Sequence, residues 1–314
     1  MKQIVTRKKS KFRKQISLQI FALLGIGYLF IFSVIPMFGL IMGFKDYQIT
    51  MGVKGIFTAD WVGMKYFKEF ISDFQFPQLV KNTVGISLLK LVCTFPLPIL
   101  FAVMLSEMRG SKFKKLTQTA SYLPHFISWV IISGLSFQFL ASEGIINNLL
   151  MSLNLIDEPI GFLTDPSKFW GLATVLDVWK ETGWWAIVFL AAIMGINQEM
   201  YESAKLDGAG RLQRIWYITL PCIKSTIVTV LILAIGNLFG GGLSGSSFEQ
   251  SYLLGNTMNS SASDIIQTYV YEVGLANGRY AYATAVGMIQ SVISLAFVFG
   301  SNFVAKKVSG SGLF

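Results

Sequence analysis

Asp177, Lys180 and Glu181 lie close together in a largely apolar stretch of this chain, with Trp179, Trp184 and Trp185 beside them. Carboxylates accept hydrogen bonds from hydroxyls, and an indole face packs against the C–H face of a pyranose ring, so the cluster could hold a polyhydroxylated solute. Asp177 and Lys180 are also spaced to pair at i, i+3 on a helix. The second reading is therefore an internal salt bridge that fixes helix packing, with the tryptophans at a lipid interface. Lys90 stands alone in another apolar run, where it can snorkel, neutralise a helix end or meet an acidic solute. His125 is the sole histidine. That excludes a two-histidine metal site or dyad and points to a packing role at a carbonyl freed by Pro124. Asn237, in a further apolar run, could line a pathway or bridge two helices.

A second group of residues has mechanical rather than covalent chemistry. The polar island Glu202-Ser203-Ala204-Lys205-Leu206-Asp207-Gly208-Ala209-Gly210 is closed by Ile218-Thr219-Leu220-Pro221 and separates two apolar runs. Ala204, Gly208, Ala209 and Gly210 carry little side chain, so a partner backbone can approach closely. Asp207-Gly208 is suited to end a short helix, since Gly accepts the left-handed conformation, and Pro221 suits the first turn of the next one. An ordinary turn between two apolar segments is the competing reading. Catalytic patterns are missing: there is no G-x-S-x-G or H-E-x-x-H, and the Gly runs lack the Lys-Ser/Thr of a phosphate-binding loop. The chain is expected to bind no metal or cofactor and to hydrolyse nothing itself, so any work must be delivered to it.

The elements that position these groups follow from composition. Of 314 residues 53% are hydrophobic and 14% charged, with mean hydropathy +0.56, against roughly a quarter charged in a soluble domain. The expected fold class is an all-α polytopic membrane protein. Runs of about 20 apolar residues predict six spans, at about 17–44, 83–106, 116–141, 169–196, 225–243 and 281–305. The first is too long and lacks the cleavage site of a signal peptide. Segment 1–15 is basic, and placing it inside the cell puts seventeen Lys and Arg on inner segments against seven on outer ones. Both termini and the island are then cytoplasmic. The net charge of +9 thus reports topology and implies no nucleic-acid partner. Cys93 and Cys222 imply no disulfide framework. Residues 16–314 read as one transmembrane domain without an internal repeat, which argues for a separate second subunit.

The order of small, acidic and Gly residues from Glu202, followed by Ile218, Leu220 and Pro221, resembles the EAA loop of bacterial ABC importer permeases. Ser203 stands where that family usually has Ala. The resemblance implies that 199–221 is a coupling loop docking into a cytoplasmic ATPase dimer. Phe44-Lys45-Asp46-Tyr47, Ser121-Tyr122-Leu123-Pro124-His125, Phe248-Glu249-Gln250, Thr268-Tyr269-Val270-Tyr271 and the ending Gly312-Leu313-Phe314 are similar to carbohydrate-importer permeases of the LplB type. This implies a leading helix plus a five-helix core in the bacterial plasma membrane. It further implies a second homologous permease, ATP and Mg on the ATPase, an extracellular solute-binding lipoprotein and a saccharide cargo. Asp177, Lys180, Glu181, Trp184 and Asn237 are the candidates for the pathway. Importers of other solutes share such loops, and a membrane sensor using the same ATPase is the rival of a different class.

Overall fold

The computed structural model describes residues 15–108 and 110–310. The basic segment 1–15 apart from Gln15, Arg109 of the inner-loop charge count, and the ending Gly312-Leu313-Phe314 lie outside the described residues.

Helix α1, Leu18–Phe44, is apolar on every side, and none of its most apolar 18-residue window is buried. It widens into a π turn at Phe30–Val34 just before Pro36, where the missing proline N–H breaks the α pattern of hydrogen bonds. Helix α2 spans Phe76–Glu107 with a one-residue interruption at Phe95 before Pro96 and starts earlier than expected. Pro77 occupies its first turn, and Asn82 Nδ2 donates to Ser261 O at 3.1 Å and Asp264 O at 2.8 Å. The span expected at 116–141 needs correction. Helix α3, Ser111–Tyr122, passes through a 3₁₀ turn at Leu123–Phe126 and then bends by 96° into α4, Trp129–Phe139. Pro124 tightens that turn and Ser128 Oγ accepts from Ile131 N at 3.4 Å, starting a new helix.

Helix α5, Pro166–Met194, is 29 residues long. Asp165 caps it by accepting from Ser167 N at 2.9 Å, and hydrogen bonds from Lys168 and Ser167 hold its carboxyl down at about 2. Helix α6, Gln198–Leu206, is followed by α7, Arg211–Cys222, which bends by 61° into α8, Lys224–Gly236. The apolar span expected to reach 243 thus stops at Gly236, where Asn237 begins a tight Gly-rich turn. After α9, Ser247–Leu254, the chain reaches α10, Tyr280–Ser309. By length and hydropathy, three helices (α1, α2 and α10) can cross a membrane, or up to five spans if each bent pair counts as one. Among the described residues no strand forms, only an isolated antiparallel bridge between Lys45 and Trp61.

The chain divides into two compact units, residues 1–70 with 273–288 and residues 71–272 with 289–314. In the first, Tyr282 packs edge-on against Tyr66 and Phe70 at ring distances of 6.2 and 6.4 Å. Burial and the Asp46 carboxylate, which accepts from the Tyr66 hydroxyl, push that phenol up to about 12. The second unit has two apolar cores strung along α5. One gathers Leu105, Phe189, Ile193 and Ile223; the other gathers Ile86, Phe169, Leu254 and Ile265.

Gly183 sets how closely α5 crosses the end of α3. A Cβ there would lie 2.0 Å from Ser121 O, a backbone atom that no rotamer change can move. Gly183→Ala is expected to destabilise the fold by about 3 kcal/mol, measured as thermal unfolding in detergent. An unchanged unfolding temperature would refute the close crossing.

Candidate functional site

Asp177 is fully buried, and its carboxylate is fully engaged. Lys90 Nζ approaches at 3.6 Å, while Thr94 Oγ1, Ser246 Oγ and Gln250 Nε2 donate at 3.2, 2.9 and 3.4 Å. Lys90, only 1% exposed, also donates to Ser247 Oγ at 3.3 Å. The network joins α2, α5 and the start of α9. A buried ion pair is tolerable because the remaining lone pairs and protons also find partners. Gln250 Oε1 and Ser87 Oγ are buried without a partner among the described residues.

The pairing of Asp177 with Lys180, allowed by spacing, is replaced by the pair with Lys90. Lys180 instead donates to His125 O, lies 3.6 Å from Glu181 and sits 5.9 Å over the Trp129 ring. The cause is local. The bend after the 3₁₀ turn leaves end carbonyls without helical partners, and a lysine one helix away satisfies one of them.

Glu181 Oε2 bonds His125 Nδ1 at 2.9 Å. The imidazole stacks on Trp184 at 4.3 Å and 1°, and Phe126 meets the same indole edge-on at 5.6 Å. Trp184 remains 36% exposed, so the group keeps an open aromatic edge. Trp185 packs into the apolar core and Trp179 is exposed. Asn237 Nδ2 donates to Gly242 O at 3.0 Å, closing the turn in which Gly241 and Gly242 have φ of 107° and 65°.

The polar island folds as a helix and a reversal. Asn197 caps α6 by accepting from Glu199 N at 3.0 Å. After Asp207, Gly208 adopts φ 78°, and Ala209 N–H returns to Ala204 O at 2.8 Å. Glu202, Ser203, Asp207 and Gly208 are exposed, and a Cβ on Gly208 would meet nothing within 4 Å. Leu206 is 90% exposed. Tyr201 OH lies 2.9 Å from Thr219 Oγ1, tying α6 to the π turn Ile215–Thr219 within α7. Ile218 and Leu220 pack on the core around Ile193 and Ile223. Pro221 falls in the last turn of α7, not the first turn of the next helix as expected. The π turn ahead of it absorbs the missing N–H, as at Pro36.

Sequence reasoning missed the partner of Lys90, the Tyr201–Thr219 contact and the serines at 246 and 247. Gln250 was within reach, inside the Phe248-Glu249-Gln250 motif.

Residues 95–310 match the family model described as binding-protein-dependent transport system inner membrane component. The chain is 44% identical to Protein LplB of Bacillus subtilis (strain 168), over 92% of this chain and 88% of that protein. It is 41% identical to the polygalacturonan/rhamnogalacturonan transport system permease protein YteP of the same organism, over 97% and 92%. It also superposes with a TM-score of 0.86 and 37% identity on a chain of a bacterial alginate ABC transporter in complex with an alginate pentasaccharide-bound periplasmic protein. That match covers 97% of this chain and 99% of the other.

Proposed function

The chain belongs to the family of binding-protein-dependent transport system inner membrane components, and from that premise we propose that it is a permease subunit that imports saccharides, working with a solute-binding protein. The observation that carries this is similarity over nearly the whole length to a polygalacturonan/rhamnogalacturonan transport permease and to a chain of an alginate ABC transporter. It is a transport component; ATP hydrolysis belongs to a separate ATPase.

In this reading six spans cross the bacterial plasma membrane: α1, α2, the α3–α4 pair, α5, the α7–α8 pair and α10. Both ends are inside, as the Lys and Arg distribution requires. A second permease completes the pathway, and a binding lipoprotein delivers the solute from outside. Helix α6 with the reversal at Gly208 docks into the ATPase dimer through Glu202, Ser203, Ala204, Asp207, Gly208 and Ala209. Ile218, Leu220 and Pro221 carry its displacement to α8. Closure of the ATPase on ATP and Mg opens the permease outward, and hydrolysis resets it.

Within the pathway cluster the geometry divides the labour. Asp177 and Asn237 are spent on internal hydrogen bonds, which favours a structural role for both. Trp184, held by His125 and backed by Glu181 and Lys180, presents an open ring edge to a sugar.

The test is ATP-dependent uptake by the full complex in proteoliposomes, offered labelled oligosaccharides of polygalacturonan and alginate. Transport of either supports the proposal; uptake of peptides or polyamines instead would overturn it. Trp184→Ala is expected to reduce uptake about fivefold, the loss of about 1 kcal/mol of ring contact, while Trp184→Phe keeps most of it. Wild-type kinetics in both would remove Trp184 from the pathway.

A further inference from the structure

A cavity of about 430 Å³ opens beside the coupling segment, between the end of α2, α3, the end of α5, and α6 and α7. Its size is that of a ligand pocket. Four cations line it, Lys114, Lys205, Arg211 and Arg214, with Glu107 as the acid among them. Glu107 pairs with Arg211 at 3.6 Å. Among the described residues, Lys114, Lys205 and Arg214 have no acidic partner. Arg214 Nε is buried with no hydrogen-bond partner among the described residues, and such a group is costly to leave unmade.

The cavity lies behind α6 rather than on the face offered to a partner. Tyr201 and Lys205, one turn apart, line it, Lys205 remaining exposed, whereas the exposed Glu202 and Leu206 take no part in the lining. Leu190 and Ile193, both buried, and Met194, 71% exposed, are its aliphatic residues at the end of α5. Three cations without an acidic partner, one of them with a buried unpartnered Nε, match a phosphate, and the exposed Met194 beside them offers an apolar contact to a chain attached to it.

We propose that this cavity binds the phosphate of an anionic phospholipid from the inner leaflet. Basic pockets between helices on the cytoplasmic side have the chemistry for such headgroups. The proposal rests on the inner placement of α6 and not on the identity of the cargo.

The test is binding of fluorescent cardiolipin to the whole detergent-purified complex, permease pair with ATPase, with phosphatidylcholine as the neutral control. Removing each charge is expected to weaken binding about fivefold, so Lys114→Gln with Arg214→Gln should weaken it about 25-fold. The charge-keeping pair Lys114→Arg and Arg214→Lys should retain it, which separates lost charge from lost fold. Equal affinity in wild type and the Gln pair overturns the proposal. So does full displacement of cardiolipin by millimolar inorganic phosphate, which would mark a free-anion site. Loss of the ATPase from the Gln pair, with cardiolipin retained, also overturns it, because the cavity then receives an acidic partner chain. Because binding is read without transport, failure of the saccharide assay leaves this result independent.

Discussion

Gly208→Trp will leave a permease that inserts and assembles with its partner permease but loses saccharide uptake by more than about a hundredfold. Two effects combine. At φ 78° a residue with a Cβ costs about 1–2 kcal/mol of backbone strain, and a bulky ring on a docking surface can remove a contact worth about 2 kcal/mol or more. A Cβ at Gly208 meets nothing within 4 Å and the position is exposed, so the ring has solvent to turn into, where a docking partner would meet it. Gly208→Asn tolerates the left-handed conformation and keeps a small side chain, and it should retain most uptake. Gly208→Ala, carrying strain without bulk, should fall between. The measurement is uptake together with binding-protein-stimulated ATPase in proteoliposomes. Equal activity of the Trp and Asn variants would mean that nothing docks at this position.

The second large effect is on stability. Asp177→Asn leaves Lys90 buried with no counter-charge, and breaking one side of such a pair costs about 3–5 kcal/mol. The unfolding temperature of the purified complex should fall accordingly. Replacing both partners together, Lys90→Met with Asp177→Leu, removes the unpaired charge and should restore most of the loss. If Asp177→Asn keeps wild-type stability but changes uptake kinetics, Asp177 belongs to the pathway and its buried setting has been misread.

Comparison of α1, α5 and α10 with the bent pairs shows what was legible. Long apolar runs announce a helix because a lipid-facing backbone must satisfy itself, and those three helices lie close to their expected bounds. Hydropathy has no direction, however. It stays high through Phe126-Ile127-Ser128-Trp129, so the 96° bend there is silent in any average; its signals are Pro124 and the capping Ser128. The reversal in the polar island was legible because Gly and Pro act locally, and Gly208 does turn the chain. Only the proline was misassigned, since a π turn upstream can absorb its lost hydrogen bond. The ionic network was not legible as a network. Charges are visible in sequence, but Lys90 and Asp177 meet only through tertiary packing, and the nearer Lys180 is drawn off by a carbonyl that exists because of the bend. Ser246 and Ser247 are hidden in a Gly-Ser run that reads as a loop.

The Lys90–Asp177 pair also has a consequence for biogenesis. In the six-span arrangement proposed above, each charge sits at mid-span and opposes insertion by about 2.5–3.5 kcal/mol on translocon scales, and α5 carries two more in Lys180 and Glu181. Since α2 emerges from the ribosome first, its lysine enters the membrane before any counter-charge exists. Helix α5 therefore has a reason to leave the translocon against α2 rather than into free lipid, so the order of synthesis helps to select the neighbour on which this permease is built.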